Sequence, residues 1–259
     1  MITSYLELLR DKEGSDLFLS VGCKPRIKIE GDLNEIGEEV LDGSGVKSAA
    51  MEIMNETQIR RFEEEMDLDF AYELPDKSAR FRANVFFQRG EWGLVLRLIP
   101  SNIPNLTALN VPPILSELMS NRRGLILMVG GTGSGKSTTL AAMINHRNEN
   151  FGGHILTIED PIEFSHKSLR SIVNQREVGV DTKNYRAALR SAMREAPDVI
   201  MIGEIRDRET METTMELCNT GHLAISTMHS NNANQAIERI INLYPQNLHK
   251  QLFMDLSLN

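Results

Sequence analysis

The chain reads as an α/β protein: a parallel-sheet domain preceded by a smaller α+β domain. Three observations predict this. Beyond residue 108, continuous apolar runs alternate with helical patterns, which calls for a parallel sheet covered on both faces. At the first of these runs, "LILMVG" leads directly into "GTGSGKST" and then a helical pattern. The first hundred residues instead alternate at period two between helical stretches, and "PSNIPNL", with two prolines in five residues, closes them off. The expected division is residues 1–100, a linker over 101–107, and 108–259.

Taken in order, "TSYLELLRDK" spaces apolar residues as a short amphipathic helix, and "SDLFLSVG" and "PRIKIEGD" alternate as two strands joined by a turn. "VKSAAMEIMNETQIRRFEEEM" reads as one helix. "LDFAYEL", "ARFRANVFFQR" and "EWGLVLRLI" read as three strands. The middle one puts Phe81, Ala83, Val85 and Phe87 on one face and Arg80, Arg82, Asn84 and Phe86 on the other. In the second domain the expected strands are "GLILMV", "HILTIE", "DVIMIGEI" and "HLAISTM". The helices between and after them are "STTLAAMINHRN", "YRAALRSAMRE", "RETMETTMELCN" and "NQAIERIINLY". The chain stops at "QLFMDLSLN", inside a helix-like pattern with no stop signal, so a further C-terminal portion is expected.

Bulk properties narrow the class. With 259 residues, 41% apolar and 25% charged, this is an ordinary globular composition of two-domain length. Two distant cysteines, Cys23 and Cys218, form no CxxC pair, which argues against a zinc site or disulfide framework and fits a reducing, cytoplasmic compartment. The start has no basic-then-apolar leader, and the apolar runs are far shorter than a bilayer span, so no membrane insertion is expected. The formal net charge of −8 weighs against nucleic acid as the partner.

Gly130, Gly135, Lys136 and Ser137 fit G-x-x-x-x-G-K-[ST] between a strand and a helix. Such a loop curls so that backbone N–H groups point at phosphate oxygens, and the helix N-terminus adds partial positive charge. The candidate nucleotide cradle is Gly130, Gly131, Thr132, Gly133, Ser134, Gly135, Lys136, Ser137 and Thr138. Lys136 faces the β and γ phosphates of ATP and Ser137 is a ligand for Mg²⁺. "DVIMIGE" ends a buried strand, expected next to the loop strand, at Glu204, where such sheets hold the metal directly or through water. "TIEDPIEF" supplies Glu159, Asp160 and Glu163. These read equally well as a base for attacking water or as a helix-start cluster with Pro161 at the first helical position. His229 follows a strand at the same edge and is balanced between a γ-phosphate sensor and a structural histidine; His222 is the weaker candidate. Arg82 and Arg97 are candidate trans-acting cations, though a solvated strand face is the plainer reading of both.

These boxes, "GGTGSGKSTTLAAM", "ILTIEDPIEF", "DVIMIGEIRDRETM" and "TGHLAISTMHSNNANQA", resemble the secretion ATPase superfamily and, within it, the type IV pilus retraction motors of the PilT/PilU family. "QREVGVDT", "NNANQAIERII" and "MDLSLN" resemble its PilU-like, accessory branch. The resemblance implies a RecA-like P-loop ATPase domain behind a PAS-like domain, in a hexamer whose units join one subunit's N-terminal domain to the next subunit's ATPase domain. It implies Glu163 as catalytic base, Glu204 as the Mg²⁺-supporting carboxylate, His229 and His222 as the histidine box, and Arg82 and Arg97 as reaching a neighbour's nucleotide. The implied function is retraction and twitching motility. The implied partners are a PilT-like motor and the inner-membrane pilus platform protein, met at the membrane's cytoplasmic face. A pilus-assembly or type II secretion ATPase shares these boxes but usually carries a longer N-terminal extension. A nucleotide-binding scaffold for a second motor is the non-enzymatic alternative, disfavoured by intact Lys136, Glu163 and Glu204.

Overall fold

A computed structural model describes residues 2–258; Met1 and Asn259, the outermost residues of the two expected domains, lie outside the described residues. The chain divides into two compact units, one ending at Pro100 and the other beginning at Ser101.

The first unit is an antiparallel sheet of six strands with three helices. Its elements are α1 (Ile2–Asp11), β1 (Asp16–Ser20), β2 (Arg26–Ile29), β3 (Asp32–Glu35), α2 (Gly43–Ile53), α3 (Glu56–Glu65), β4 (Asp67–Glu73), β5 (Arg80–Gln88) and β6 (Glu91–Ile99). The strand order is β3-β2-β1-β6-β5-β4. Leu17 and Leu19 of β1, Phe81, Ala83 and Val85 of β5, and Leu94 and Leu96 of β6 are fully buried. They share a core with Ile2, Leu6 and Leu9 of α1 and Val46, Ala49 and Ala50 of α2. Each such leucine or valine contributes roughly 1.5–3 kcal/mol by leaving water.

Three local features differ from expectation. The single helix over Val46–Met66 is two, because Asn55 starts a new one: its side chain accepts from the Gln58 N–H at 2.9 Å, and Gln58 returns the bond to the Asn55 N–H at 2.8 Å. A third early strand, β3, follows a two-residue turn at Glu30-Gly31, where both φ values are positive (51° and 97°), the geometry that matches strand twist. Phe87 ends the apolar face of β5 but stays partly exposed, stacking on Phe62 with centroids 5.0 Å apart.

The second unit carries α4 (Ile114–Leu118), β7 (Gly124–Val129), α5 (Lys136–Asn150), β8 (Gly153–Glu159), β9 (Ser171–Glu177), α6 (Tyr185–Glu195), β10 (Val199–Ile202), α7 (Arg208–Asn219), β11 (Leu223–Met228), α8 (Ala233–Leu243) and α9 (His249–Leu258). Its five strands are all parallel, in the order β7-β11-β10-β8-β9. Leu140, Met143 and Ile144 of α5 cover Ile155, Val199, Met201 and Ile225 on one face. Leu189 of α6 and Met211 of α7 cover Leu156, Ile158, Ile200 and Ile202 on the other. Because every strand runs the same way, all carboxyl ends meet at one edge. Among the described residues, no helix is long and apolar enough to cross a membrane.

Two corrections bear on the site. β10, which leads into Glu204, is not next to the loop strand β7; β11 lies between them. β9 is a strand the sequence pattern does not predict: in "SIVNQRE" the polar Ser171 and Glu177 are buried while Ile172 is exposed, so this edge strand shows neither a continuous apolar run nor clean alternation.

Candidate functional site

β7 ends at Val129 and α5 begins at Lys136, so the glycine loop spans the turn between them. Gly133 (φ 74°) and Gly135 (φ 86°) take left-handed backbone that a side chain disfavours. At Gly130 a Cβ would come within 2.6 Å of Ser134 Oγ. Ser134 Oγ donates to the Gly131 carbonyl at 2.9 Å, closing the curl. The Lys136 ammonium donates to the carbonyls of Gly130 (2.9 Å) and Gly131 (2.7 Å). Thr132, Gly133 and the run from Gly135 to Thr138 form one wall of a cleft of about 550 Å³. Gly130, Gly131 and Ser134 shape the loop without forming that wall.

The other walls come from the ends of β8, β10 and β11. Residues 160–170, which follow β8, form neither helix nor strand, so the helix-start reading of the acidic cluster does not hold. Glu163 in this segment reaches the P-loop helix: Ser137 Oγ donates to its Oε1 at 2.9 Å. Glu159 points the opposite way in function. It is buried, accepts from Thr157 Oγ1 (2.6 Å) and Gln175 Nε2 (3.2 Å), and burial pushes its carboxyl above the ordinary range. Glu204, at the end of β10, is held by Arg206 Nε at 2.8 Å and lies 3.5 Å from His229 Nε2. Thr227 Oγ1 donates to the Gly203 carbonyl at 2.6 Å, tying the ends of β10 and β11 together.

Lys136, Ser137, Glu163, Glu204 and His229 therefore meet in one cleft. His222 does not join them; its Nδ1 sits 3.0 Å from the Leu217 carbonyl and closes the end of α7. Arg82 and Arg97 belong to the first unit and are directly opposite each other on β5 and β6. Like charges so placed repel, and each is tied to a carboxylate: Arg82 Nη2 to Asp69 at 3.0 Å, Arg97 Nε to the buried Asp16 at 2.8 Å.

Among the cleft residues given no role from the sequence, Arg206, His166 and Tyr185 are the ionisable ones. Arg206 was legible, two positions after Glu204. His166 and Tyr185 were not, because each enters the cleft through tertiary placement. Burial pushes the His166 ring down to about 4, leaving it neutral, and raises the Tyr185 phenol well above its usual range, with Asp160 adding to the shift.

The cleft suits a nucleotide phosphate chain. The loop glycines leave the backbone bare, the start of α5 faces inward, and Lys136 holds only neutral carbonyls that a phosphate outcompetes. Among the described residues no cluster of three His, Cys, Asp or Glu side chains forms a metal cage. Mg²⁺ bound alongside phosphates requires none, since one or two protein oxygens with water and phosphate complete its shell; Ser137 and Glu204 have the chemistry for that.

Residues 6–253 match the family described as "Type II/IV secretion system protein". The chain is 48% identical over 254 residues to the type IV pilus ATPase PilU of Pseudomonas aeruginosa, covering 98% of this chain and 66% of that protein. It is 43% identical over 244 residues to the type IV pilus retraction ATPase PilT of the same organism, covering 94% and 71%. The crystal structure of the pilus retraction motor PilT with bound ADP superposes with a TM-score of 0.92 at 41% identity, over 99% of this chain and 75% of that one. The Legionella pneumophila ATPase DotB superposes at 0.82 with 27% identity. The chain thus spans about two thirds to three quarters of the length of these relatives.

Proposed function

Because the chain belongs to the type II/IV secretion system protein family, we propose that it is an ATP-hydrolysing motor subunit that drives type IV pilus retraction. The observation that carries this reading is the meeting of Lys136, Glu163 and Glu204 in one cleft, from three separate strand ends. A nucleotide-binding scaffold would need the first of these and neither carboxylate.

ATP with Mg²⁺ supplies the transferable phosphoryl group and neutralises the triphosphate. The chain's own residues do the rest. Backbone N–H groups of the loop and the start of α5 hold the phosphates. Lys136 leaves the Gly130 and Gly131 carbonyls for the β and γ phosphates. Ser137 would hold the metal in place of its bond to Glu163, and Glu163 would then orient and deprotonate the attacking water. Glu204 would help hold the metal, and His229 beside it would respond to the γ-phosphate. Arg82 and Arg97 stabilise the transferring group in a neighbouring subunit.

That last role requires assembly, and similarity to the retraction motors supports a homo-hexamer. The same similarity supports a place at the cytoplasmic face of the inner membrane, against the pilus platform protein and beside a PilT-like motor. Purified Lys136→Ala should lose nucleotide binding and hydrolysis together; near-normal turnover in that variant refutes the cleft as the site. In cells, deleting the gene should impair pilus retraction, and the size of the defect with and without the second motor measures how far this subunit acts alone.

A further inference from the structure

Residues 160–170 carry Glu163 but have no ladder of their own to hold them. A segment of that kind is fixed by whatever satisfies its backbone: Asn148 of α5 holds Lys167 and Leu169, and around Glu163 the work falls to a row of polar side chains on the neighbouring strands. β8 and β9 pair so that Thr157 faces Gln175 and Glu159 faces Glu177. The Ile162 N–H donates to Glu177 Oε2 at 3.1 Å, and the Glu163 N–H to Glu159 Oε2 at 3.5 Å. Gln175 makes three bonds at once. Its Nε2 donates to the Phe164 carbonyl (2.8 Å) and to Glu159 Oε1 (3.2 Å), and its Oε1 accepts from the His166 N–H (2.7 Å).

We infer that Gln175 is a positioning residue for hydrolysis: its amide clamps the backbone on the C-terminal side of Glu163 and so sets where that carboxylate stands relative to Ser137 and the phosphates. The inference rests on the reading of Glu163 given above. Only an amide fits. The Phe164 carbonyl and the Glu159 carboxylate both need a donor, while the His166 N–H needs an acceptor. A leucine of similar size supplies neither. A glutamate supplies the acceptor and sets a carboxylate against two oxygens. Gln175 does not itself line the nucleotide cleft but stands behind the lining residues Glu159, Phe164 and His166, so its removal should spare binding and impair the chemical step.

The test uses the purified full chain as wild type, Gln175→Leu, Gln175→Glu and Glu163→Gln. Affinity for a fluorescent ATP analogue with Mg²⁺ and steady-state kcat are measured on the same preparations. Displacing a catalytic group by about 1 Å costs up to about 10²-fold, so Gln175→Leu should lose about 10–100-fold in kcat with affinity held within about threefold. Gln175→Glu carries its own acid rescue. The Glu159 carboxylate and the Phe164 carbonyl face it directly, with Glu177 two positions on in the same strand, and this acceptor-rich setting raises its pKa. Its deficit relative to wild type should therefore shrink as pH falls from about 8 to about 6, where the protonated acid regains a donor. Gln175→Leu should show no such recovery. The glutamate variant, close to wild type in shape, keeps the test decisive if the leucine variant misfolds. Wild-type kcat in Gln175→Leu, or affinity falling in step with kcat, overturns the inference. If Glu163→Gln is inactive while Gln175→Leu turns over normally, only the positioning role falls. If Glu163→Gln itself turns over, the hydrolytic reading falls with it.

Discussion

Replacing Arg82 with alanine separates what this side chain does for its own domain from what it does for catalysis. Within the domain it makes one ion pair, to Asp69 at 3.0 Å, with the two side chains 35% and 50% exposed. Solvent screens such a pair to about 0.2–1 kcal/mol, and its loss is offset by relief of the repulsion from Arg97 directly across the ladder. The expected stability change is below about 1 kcal/mol, at most a shift of roughly 4–8 °C in Tm for a domain of about 100 residues. An arginine reaching a neighbour's γ-phosphate is worth about 10³–10⁵ in rate, or about 4–7 kcal/mol of barrier. Arg82→Ala should therefore melt nearly as wild type yet hydrolyse ATP at least a thousandfold more slowly. Arg97 would be a poorer choice: its partner Asp16 is buried, with Ser15 Oγ as another partner at 2.8 Å, so removing Arg97 also strands a carboxylate. The decisive assay mixes Arg82→Ala with Lys136→Ala, each inactive alone. In mixed rings some subunits combine an intact loop with an intact arginine from the neighbour, so part of the activity should return. Turnover within about tenfold of wild type in Arg82→Ala alone, or no recovery in rings shown by dye-labelled subunits to exchange, refutes a trans-acting Arg82.

Two further outcomes follow from the cleft. Glu163→Gln keeps the shape that meets Ser137 but cannot take a proton, so Mg–ATP affinity should persist while turnover falls by about 10²–10⁴; loss of binding along with turnover would contradict the assignment. His166 sets a pH dependence of stability. Its folded pKa is near 4 against 6.5 when unfolded, because burial disfavours the charged ring. The stabilisation is present above about pH 6.5 and is lost as pH falls toward 4, on the order of 3 kcal/mol in all. Urea midpoints of wild type and His166→Asn should keep a constant gap above about pH 6.5, with wild type falling relative to the variant as pH drops toward 4; parallel curves across that window would exclude the histidine as the cause.

Much of the cleft was legible without coordinates because its parts are local. A strand that ends in glycines and restarts as a helix at Lys136 depends on backbone freedom and helix-start electrostatics over a few residues. The same holds for Glu204 at the end of a four-residue apolar run, and for the two-residue turn that makes β3, whose signal at Glu30-Gly31 was present and passed over. The break at Asn55 was equally available as an Asn-x-x-Gln capping box. The sequence by itself thus determined the fold class, the loop and the acidic residues available to it. Tertiary structure alone decided how they combine. It placed β11 between the loop strand and Glu204, resolved the acidic segment as a loop rather than a helix start, and set Arg82 against Arg97. It also put Gln175, on a strand with no apolar signature, beneath the backbone that carries Glu163. Each of these is a pairing between residues far apart in the chain. Register and strand order are set by burying both faces of a sheet at once, a condition that residues within one turn or one strand do not encode.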